Sequence, residues 1–158
     1  MSGSGTPDLR IEGAEALRVA VVAAQWHPVV MDGLLAGARR ALAEAAVTEV
    51  RVIRVPGSFE LAVAAQAAAR AGFDAVIALG VVIRGGTPHF DYVCAATAHA
   101  LARVGLDSAT PIGFGLLTCD DEAQALDRAG LPGSREDKGY ESAQAAVATA
   151  LAINRLGA

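Results

Sequence analysis

The chain has 158 residues, a net charge of −4 at pH 7 and two cysteines, and 53% of its residues are hydrophobic. This length suits one ordinary domain with a buried core. The acidic balance and the lack of a long basic run argue against nucleic acid as a partner. The apolar runs are shorter than the roughly 20 residues of a membrane span. Two cysteines are too few for a disulfide framework, and a metal site would need more ligands.

The start of the chain differs in composition from the rest. Residues 1–15 are mostly small and polar and include a proline, which predicts a flexible N-terminal arm before a single domain at residues 16–158. The opening run MSGSGTPDLR has neither the basic start nor the apolar stretch of a secretory signal. We therefore expect a cytoplasmic protein.

After the arm, short β-branched runs alternate with alanine-rich runs. A first strand is predicted at residues 17–23 (LRVAVVA), and a helix that Pro28 can open follows at 29–46. A second strand at 50–55 (VRVIRV) leads to a helix at 59–71.

The middle of the chain repeats this alternation. The strand predicted at residues 75–83 (AVIALGVVI) is the most continuously apolar and should therefore be central in the sheet. A helix at 89–105 follows it. A fourth strand is predicted at 111–118 (PIGFGLLT).

Two helices complete the chain. One has Asp120 as its N-cap and stops at Gly130, and the other covers residues 140–155. Strands that alternate with helices throughout indicate right-handed βαβ units and a parallel sheet. We predict an α/β fold: a single three-layer domain with a four-stranded parallel sheet and helices on both faces.

In open parallel sheets, ligands bind beyond the carboxyl ends of the strands. The four segments at those ends read QWHP, PGSFE, IRGGTPH and LTCDD. We expect the function to lie in these loops.

The segment IRGGTPH combines two glycines with the start of a helix. Thr87 stands where an N-cap belongs, and the free N–H groups of the first helical turn, with those of Gly85 and Gly86, can surround an anion such as phosphate. Without a Cβ, the glycines allow a close approach to the backbone. The pattern also fits a plain strand-to-helix turn, and it is neither a Walker loop nor a dinucleotide fingerprint.

His89 follows directly after this turn. The dipole at a helix N-terminus disfavours imidazolium, and a neutral imidazole can take and return a proton in carbonyl chemistry. A histidine that only satisfies a local hydrogen bond is the alternative. His27 and His99 are interpreted in that structural way, His99 because it falls inside a predicted helix.

Three other side chains have both a functional and a structural interpretation. Trp26, the only tryptophan, could stack on a heterocycle or pack in the core. Glu60 could accept hydrogen bonds from ligand hydroxyls or favour the start of its helix. Arg128 could close on a phosphate or be a solvated charge, and Lys138 fits a surface position by composition.

Taken together, five segments resemble the lumazine synthase family of riboflavin biosynthesis. In chain order they are PGSFELA, GVVIRGGTPHFDYV, FGLLT, EAQALDRAG and KG, and the resemblance covers nearly the whole chain after the arm. It implies a flavodoxin-like fold without cofactor or metal. It also implies the condensation of 5-amino-6-(D-ribitylamino)uracil with 3,4-dihydroxy-2-butanone 4-phosphate to 6,7-dimethyl-8-ribityllumazine, with release of phosphate and water.

The resemblance implies a role for each residue of the expected site. His89 shuttles protons, and Trp26 stacks on the pyrimidine ring. The other residues contact the substrates: Ser58, Phe59 and Glu60 line the ribityl chain, Val81, Val82 and Ile83 hold the uracil side, Gly85, Gly86, Thr87 and Arg128 receive the phosphate, and Phe114 and Lys138 complete the pocket.

The resemblance further implies a ring of five subunits, with Phe114 and Arg128 supplied by the neighbouring chain. Some members of the family form shells of sixty subunits. The loop GLPGSREDKG is longer than in typical shell-forming members, which favours a free pentamer. Two other interpretations stay open: a flavodoxin-like binding module without catalysis, and a structural assembly protein.

Overall fold

A computed structural model describes residues 9–156 and contains one parallel sheet of four strands. The strands are β1 (Arg18–Ala23), β2 (Glu49–Arg54), β3 (Ala75–Ile83) and β4 (Ile112–Cys119). Their order in the sheet is β2-β1-β3-β4. The predicted sheet is confirmed, and the apolar strand β3 is central and buries all but its last two residues.

Helices cover both faces of this sheet, as predicted. They are α1 (Pro28–Glu44), α2 (Leu61–Arg70), α3 (His89–Ser108), α4 (Glu122–Leu126) and α5 (Lys138–Asn154), and a 3₁₀ turn, Ser58–Glu60, precedes α2. α1 and α5 lie on one face, whereas α2 and α3 lie on the other. Within residues 9–156, none of these helices has both the length and the apolar character that crossing a membrane requires.

Alternate residues of the central strands fill two hydrophobic cores. Val21 and Ile77 belong to the core beneath α1 and α5, while Val22 and Val76 belong to the core beneath α2 and α3. All four side chains are fully buried. Because both faces are covered, these strands are apolar throughout, which is the pattern of a buried parallel sheet.

The helix after β4 differs from its prediction. Its N-cap is Asp121 and not Asp120. The carboxylate of Asp121 accepts a hydrogen bond from the backbone N–H of Gln124. The helix also ends at Leu126 instead of reaching Gly130. It ends early because the backbone of residues 127–130 pairs with that of residues 136–138.

The predicted N-terminal arm falls partly outside the described residues, because its residues 1–8 are not among them. Residues 9–15 contain neither helix nor strand. Ile11 nevertheless packs against the core, and Ala14 is fully buried. The backbone N–H of Leu17 donates to the carbonyl oxygen of Ala14 at 3.1 Å, so the end of this segment leads directly into β1.

Candidate active site

A cavity of about 350 Å³ lies at the carboxyl ends of the central strands, where the topology places ligand sites. Its lining comes from the loops after β1 and β2, from the end of β3 and from the first turns of α3. The lining residues are Trp26, His27, Gly57, Ser58, Phe59, Glu60, Val81, Val82, Ile83, His89 and Val93.

The loop after β1 supplies one wall. The backbone N–H of Gln25 donates to the carbonyl oxygen of Pro56 at 3.3 Å, which ties this loop to the one after β2. Trp26 then projects outward with 68% of its surface exposed, so it is not a core residue. A broad exposed ring beside a cavity is suited to stacking on a flat heterocycle.

His27 is a wall residue that sequence reasoning assigned to a structural role. It has a φ of 57°, in the left-handed region that costs a non-glycine residue about 1 kcal/mol or more. This conformation lets Pro28 begin α1 immediately after the loop. The signal that could have identified His27 is its place next to Trp26 at the end of a strand.

The 3₁₀ turn before α2 forms a second wall. The backbone N–H of Gly57 donates to Oε2 of Glu60 at 2.9 Å, and the Ser58 hydroxyl donates to the carbonyl oxygen of Val81 at 3.3 Å. The turn can approach β3 because residue 80 is glycine, where a Cβ would lie 2.7 Å from the Ser58 hydroxyl oxygen. Glu60 therefore shapes its turn and faces the cavity as well.

The end of β3 and the start of α3 close the cavity. Val81 is buried, Val82 and Ile83 are half-buried, and His89 is exposed in the first turn of α3. Val93 lies one helical turn further and also lines the cavity. Sequence reasoning missed Val93, although its distance of four residues from His89 puts both on one helix face.

The segment 85–87 crosses from β3 to α3 at the rim of the cavity. Its glycines have no positive φ, and a Cβ at either position would meet nothing within 4 Å. The described chain itself therefore does not require glycine here. The sequence predicted Thr87 as the N-cap of α3, but the helix begins at His89 and its N-cap is Pro88.

Phe114, Arg128 and Lys138 do not line this cavity. Phe114 lies in the edge strand β4 with 51% of its surface exposed. Nη1 of Arg128 donates to the carbonyl oxygen of Gln124 at 2.9 Å, and its Nη2 lies 4.0 Å from Oε1 of Glu136. Within one chain, these three expected site residues therefore do not join the others around the cavity.

The backbone of residues 127–138 holds Arg128 near Lys138. The N–H of Glu136 donates to the carbonyl oxygen of Asp127, and the N–H of Lys138 donates to that of Arg128, each at 3.0 Å. An isolated antiparallel bridge joins Ala129 to the same segment. These bonds take the place of further turns of α4.

Lys138 is not the solvated residue that composition suggests, because only 15% of its side chain is exposed. Its Nζ lies 2.5 Å from Oε2 of Glu136 and 2.6 Å from Oε2 of Glu141. Burial alone would lower the pKa of Lys138, but hydrogen bonds to the two carboxylates outweigh it, and the pKa is raised. Composition alone does not reveal these two acidic partners.

A larger groove, of about 600 Å³, runs between α2 and α3 and shares Phe59 and Glu60 with the cavity. Most of its lining is apolar, and it contains no histidine. Val63 on its edge is 67% exposed, and Leu106 on α3 is 85% exposed. This composition is typical of a surface that another protein covers, whereas the smaller cavity carries the reactive side chains.

Known proteins resemble this chain over nearly its whole length. A family model of 6,7-dimethyl-8-ribityllumazine synthase matches residues 16–154. The chain belongs to this family. The 6,7-dimethyl-8-ribityllumazine synthase of Kineococcus radiotolerans is 64% identical over 97% of this chain and 94% of that protein. Those of Nocardioides sp. and Streptomyces avermitilis are 62% and 59% identical, over 99% and 97% of this chain and 98% and 95% of the relatives.

Membership of the lumazine synthase family confirms the resemblance drawn from the sequence motifs. It also confirms that the chain is an enzyme of this family and not only a flavodoxin-like scaffold. The roles of the individual residues and the assembly state stay predictions.

Proposed function

We propose that this chain condenses 5-amino-6-(D-ribitylamino)uracil with 3,4-dihydroxy-2-butanone 4-phosphate to form 6,7-dimethyl-8-ribityllumazine. The primary amine of the uracil attacks the ketone to give an imine and water, phosphate leaves, and ring closure with loss of a second water completes the product. The observation that carries the proposal is the family match over residues 16–154. The cavity has the aromatic, acidic and imidazole groups that such substrates need.

In this proposal, Trp26 stacks on the pyrimidine, and the ends of β3 and the 3₁₀ turn hold the rest of the uracil substrate. Val81, Val82 and Ile83 supply an apolar surface with backbone polar groups. Ser58, Phe59 and Glu60 lie along the ribityl chain. Because one oxygen of Glu60 already accepts from Gly57, its other oxygen is available to ribityl hydroxyls.

The phosphorylated ketone is proposed to bind at the rim. The N–H groups of residues 85–87 and of the first turn of α3 would receive its phosphate, since a helix N-terminus favours anions. His89 lies in that turn, next to the point where the two substrates meet, and would transfer protons during imine formation and phosphate loss. Much of the rate enhancement would come from holding both substrates together.

A second copy of the chain is proposed to complete the site with Phe114, Arg128 and Lys138. These residues lie outside the cavity of the described chain, and the groove between α2 and α3 presents an apolar surface beside it. We propose a homopentamer with active sites between its subunits. The long loop around residues 130–139 favours the free pentamer over a sixty-subunit shell. We also propose that it acts in the cytoplasm.

The direct test is turnover. Purified protein mixed with the two substrates should produce lumazine fluorescence faster than the spontaneous reaction. His89→Ala should lower kcat/KM by about 10²-fold, at the lower end of the usual range for a lost acid–base group. His99→Ala is the matched control, because His99 lies on the same helix but does not line the cavity.

Each result distinguishes one interpretation. Unchanged turnover in His89→Ala would remove the proton-transfer role, whereas lost turnover with retained binding of ribitylaminouracil would support it. A folded wild-type protein that does not accelerate the reaction would leave the binding or scaffold interpretation. Sedimentation should show a particle of five times the chain mass of 16.0 kDa. A monomer, or a shell of sixty subunits, would contradict the pentamer.

A further inference from the structure

The segment 85–87 has little support of its own. Among the described residues, it makes no hydrogen bond to other parts of the chain. Both glycines border open space. The direction of its N–H groups therefore depends on how firmly its two ends, β3 and α3, are held relative to each other.

Arg84 is the residue that joins β3 to this segment, and three contacts hold its side chain. Its Nε donates to Oδ1 of Asp120 at 3.0 Å, and its Nη1 donates to Oδ1 of Asp91 at 3.2 Å. The guanidinium carbon lies 4.2 Å from the centroid of the Phe90 ring. The backbone N–H of Arg84 donates to the carbonyl oxygen of Cys119 at 2.9 Å.

These partners lie on both sides of the segment. Cys119 ends β4 and Asp120 follows it, while Phe90 and Asp91 belong to the first turn of α3. One side chain therefore links the end of the neighbouring strand to the start of the helix. The segment 85–87 spans the same gap, so its ends cannot separate or rotate freely while Arg84 keeps its contacts.

We propose that Arg84 is a positioning residue for phosphate binding. It fixes the N–H groups of residues 85–87 and of the first turn of α3 in the arrangement that receives the phosphate, and it does not contact the phosphate itself. Both of its ion-pair partners already neutralise its charge. This inference rests on the proposed function, because it assumes that the phosphorylated substrate binds at this rim.

An arginine is specifically suited to this position. Its planar guanidinium can hold two carboxylates and stack on a ring at the same time, whereas a lysine ammonium is a single point charge on a flexible stem. Arg84→Lys should keep at most one carboxylate contact and lose the planar stacking. It should therefore restore only part of what Arg84→Ala loses.

Arg84→Ala should raise KM for 3,4-dihydroxy-2-butanone 4-phosphate by about five- to tenfold, the size expected for two exposed ion pairs and one exposed cation–π contact. The KM for ribitylaminouracil should change by less than about twofold, since the side chain of Arg84 contacts Asp91, Asp120 and Phe90 and not the residues proposed to bind that substrate. Inorganic phosphate should inhibit the variant correspondingly less. Arg84→Lys should lie between the two.

Arg18→Ala is the matched control. Arg18 pairs with Glu49 at 2.8 Å and lies 4.8 Å from the centroid of the Phe73 ring. Its side chain is 41% exposed, close to the 44% of Arg84. It begins β1, at the opposite end of the sheet, so its loss should affect stability without changing either KM.

Equal changes in both KM values, or unchanged inhibition by phosphate, would overturn the inference. Calorimetry with inorganic phosphate separates this outcome from a failure of the proposed function. If the wild type forms no lumazine, weaker phosphate binding by Arg84→Ala than by the wild type still supports the positioning role. Equal phosphate binding by both proteins, or none by the wild type, refutes it.

Discussion

Asp137, the residue before the buried Lys138, allows a quantitative test of the contacts that stabilise the start of α5. Its Oδ1 accepts the backbone N–H of Tyr140 at 2.8 Å and caps α5. Its Oδ2 lies 2.6 Å from Nη2 of Arg40 on α1. One carboxylate thus caps a helix and forms an ion pair, and the two contributions can be separated.

The magnitudes follow from these contacts. Replacing an N-cap aspartate by alanine costs about 1 kcal/mol. The ion pair adds up to about 1 kcal/mol, because Arg40 is half exposed while only 19% of the Asp137 side chain is exposed. Asp137→Ala should therefore lower the free energy of unfolding by about 2 kcal/mol, or Tm by about 4–8 °C. Asp137→Asn keeps the cap and should lose about 1 kcal/mol.

The assay is denaturant and thermal unfolding of both variants, alone and combined with Arg40→Ala, at one fixed protein concentration because any assembly also contributes. In the Arg40→Ala background, Asp137→Asn should be nearly neutral, while Asp137→Ala should still cost about 1 kcal/mol. If Asp137→Asn is as destabilising as Asp137→Ala with Arg40 present, the capping contribution is absent and the reasoning is wrong.

Two further changes test neighbouring contacts. A Cβ at Gly139 would lie 1.9 Å from the backbone oxygen of Leu34, so Gly139→Ala should push α5 away from α1 and cost about 3 kcal/mol, seen as a lower Tm; an unchanged Tm would contradict this close approach. The hydrogen bond from the Arg135 side chain, and then that from its backbone N–H, lower the pKa of Asp127. The contribution of the ionised Asp127 carboxylate to stability is therefore complete above about pH 4. It is lost as the pH falls through the lower pKa that Asp127 has in the folded state. The advantage of the wild type over Asp127→Asn in unfolding experiments should vanish in strong acid, and an advantage that persists there would refute the assignment.

Most of the cavity could be predicted from the sequence because its residues are tied to strand ends. The run at 75–83 is apolar throughout, and its predicted bounds match β3. Once the parallel sheet is inferred, topology alone brings Trp26, Glu60 and His89 to one edge. Their side chains then need no long-range information to be placed near one another.

The region after β4 could not be predicted in this way. Its backbone pairs through hydrogen bonds between residues six to ten positions apart, such as the N–H of Lys138 with the carbonyl oxygen of Arg128. No periodicity or capping signal encodes such a pairing, so the helix was predicted to continue to Gly130. The same pairing buries Lys138 between two carboxylates, which composition does not reveal.

The distribution of charge connects the proposed reaction with the proposed assembly. The lining of the cavity contains no lysine or arginine within the described residues, and Arg84 at its rim is held by two carboxylates. Backbone N–H groups alone would have to hold a phosphate with up to two negative charges, which a cationic partner makes far more favourable. Arg128, whose Nη2 lies 4.0 Å from the carboxylate of Glu136, carries such charge but lies outside the cavity of its own chain. Under the proposed assembly, an isolated subunit should therefore bind the pyrimidine but hold the phosphorylated ketone poorly, and we expect its turnover to be low.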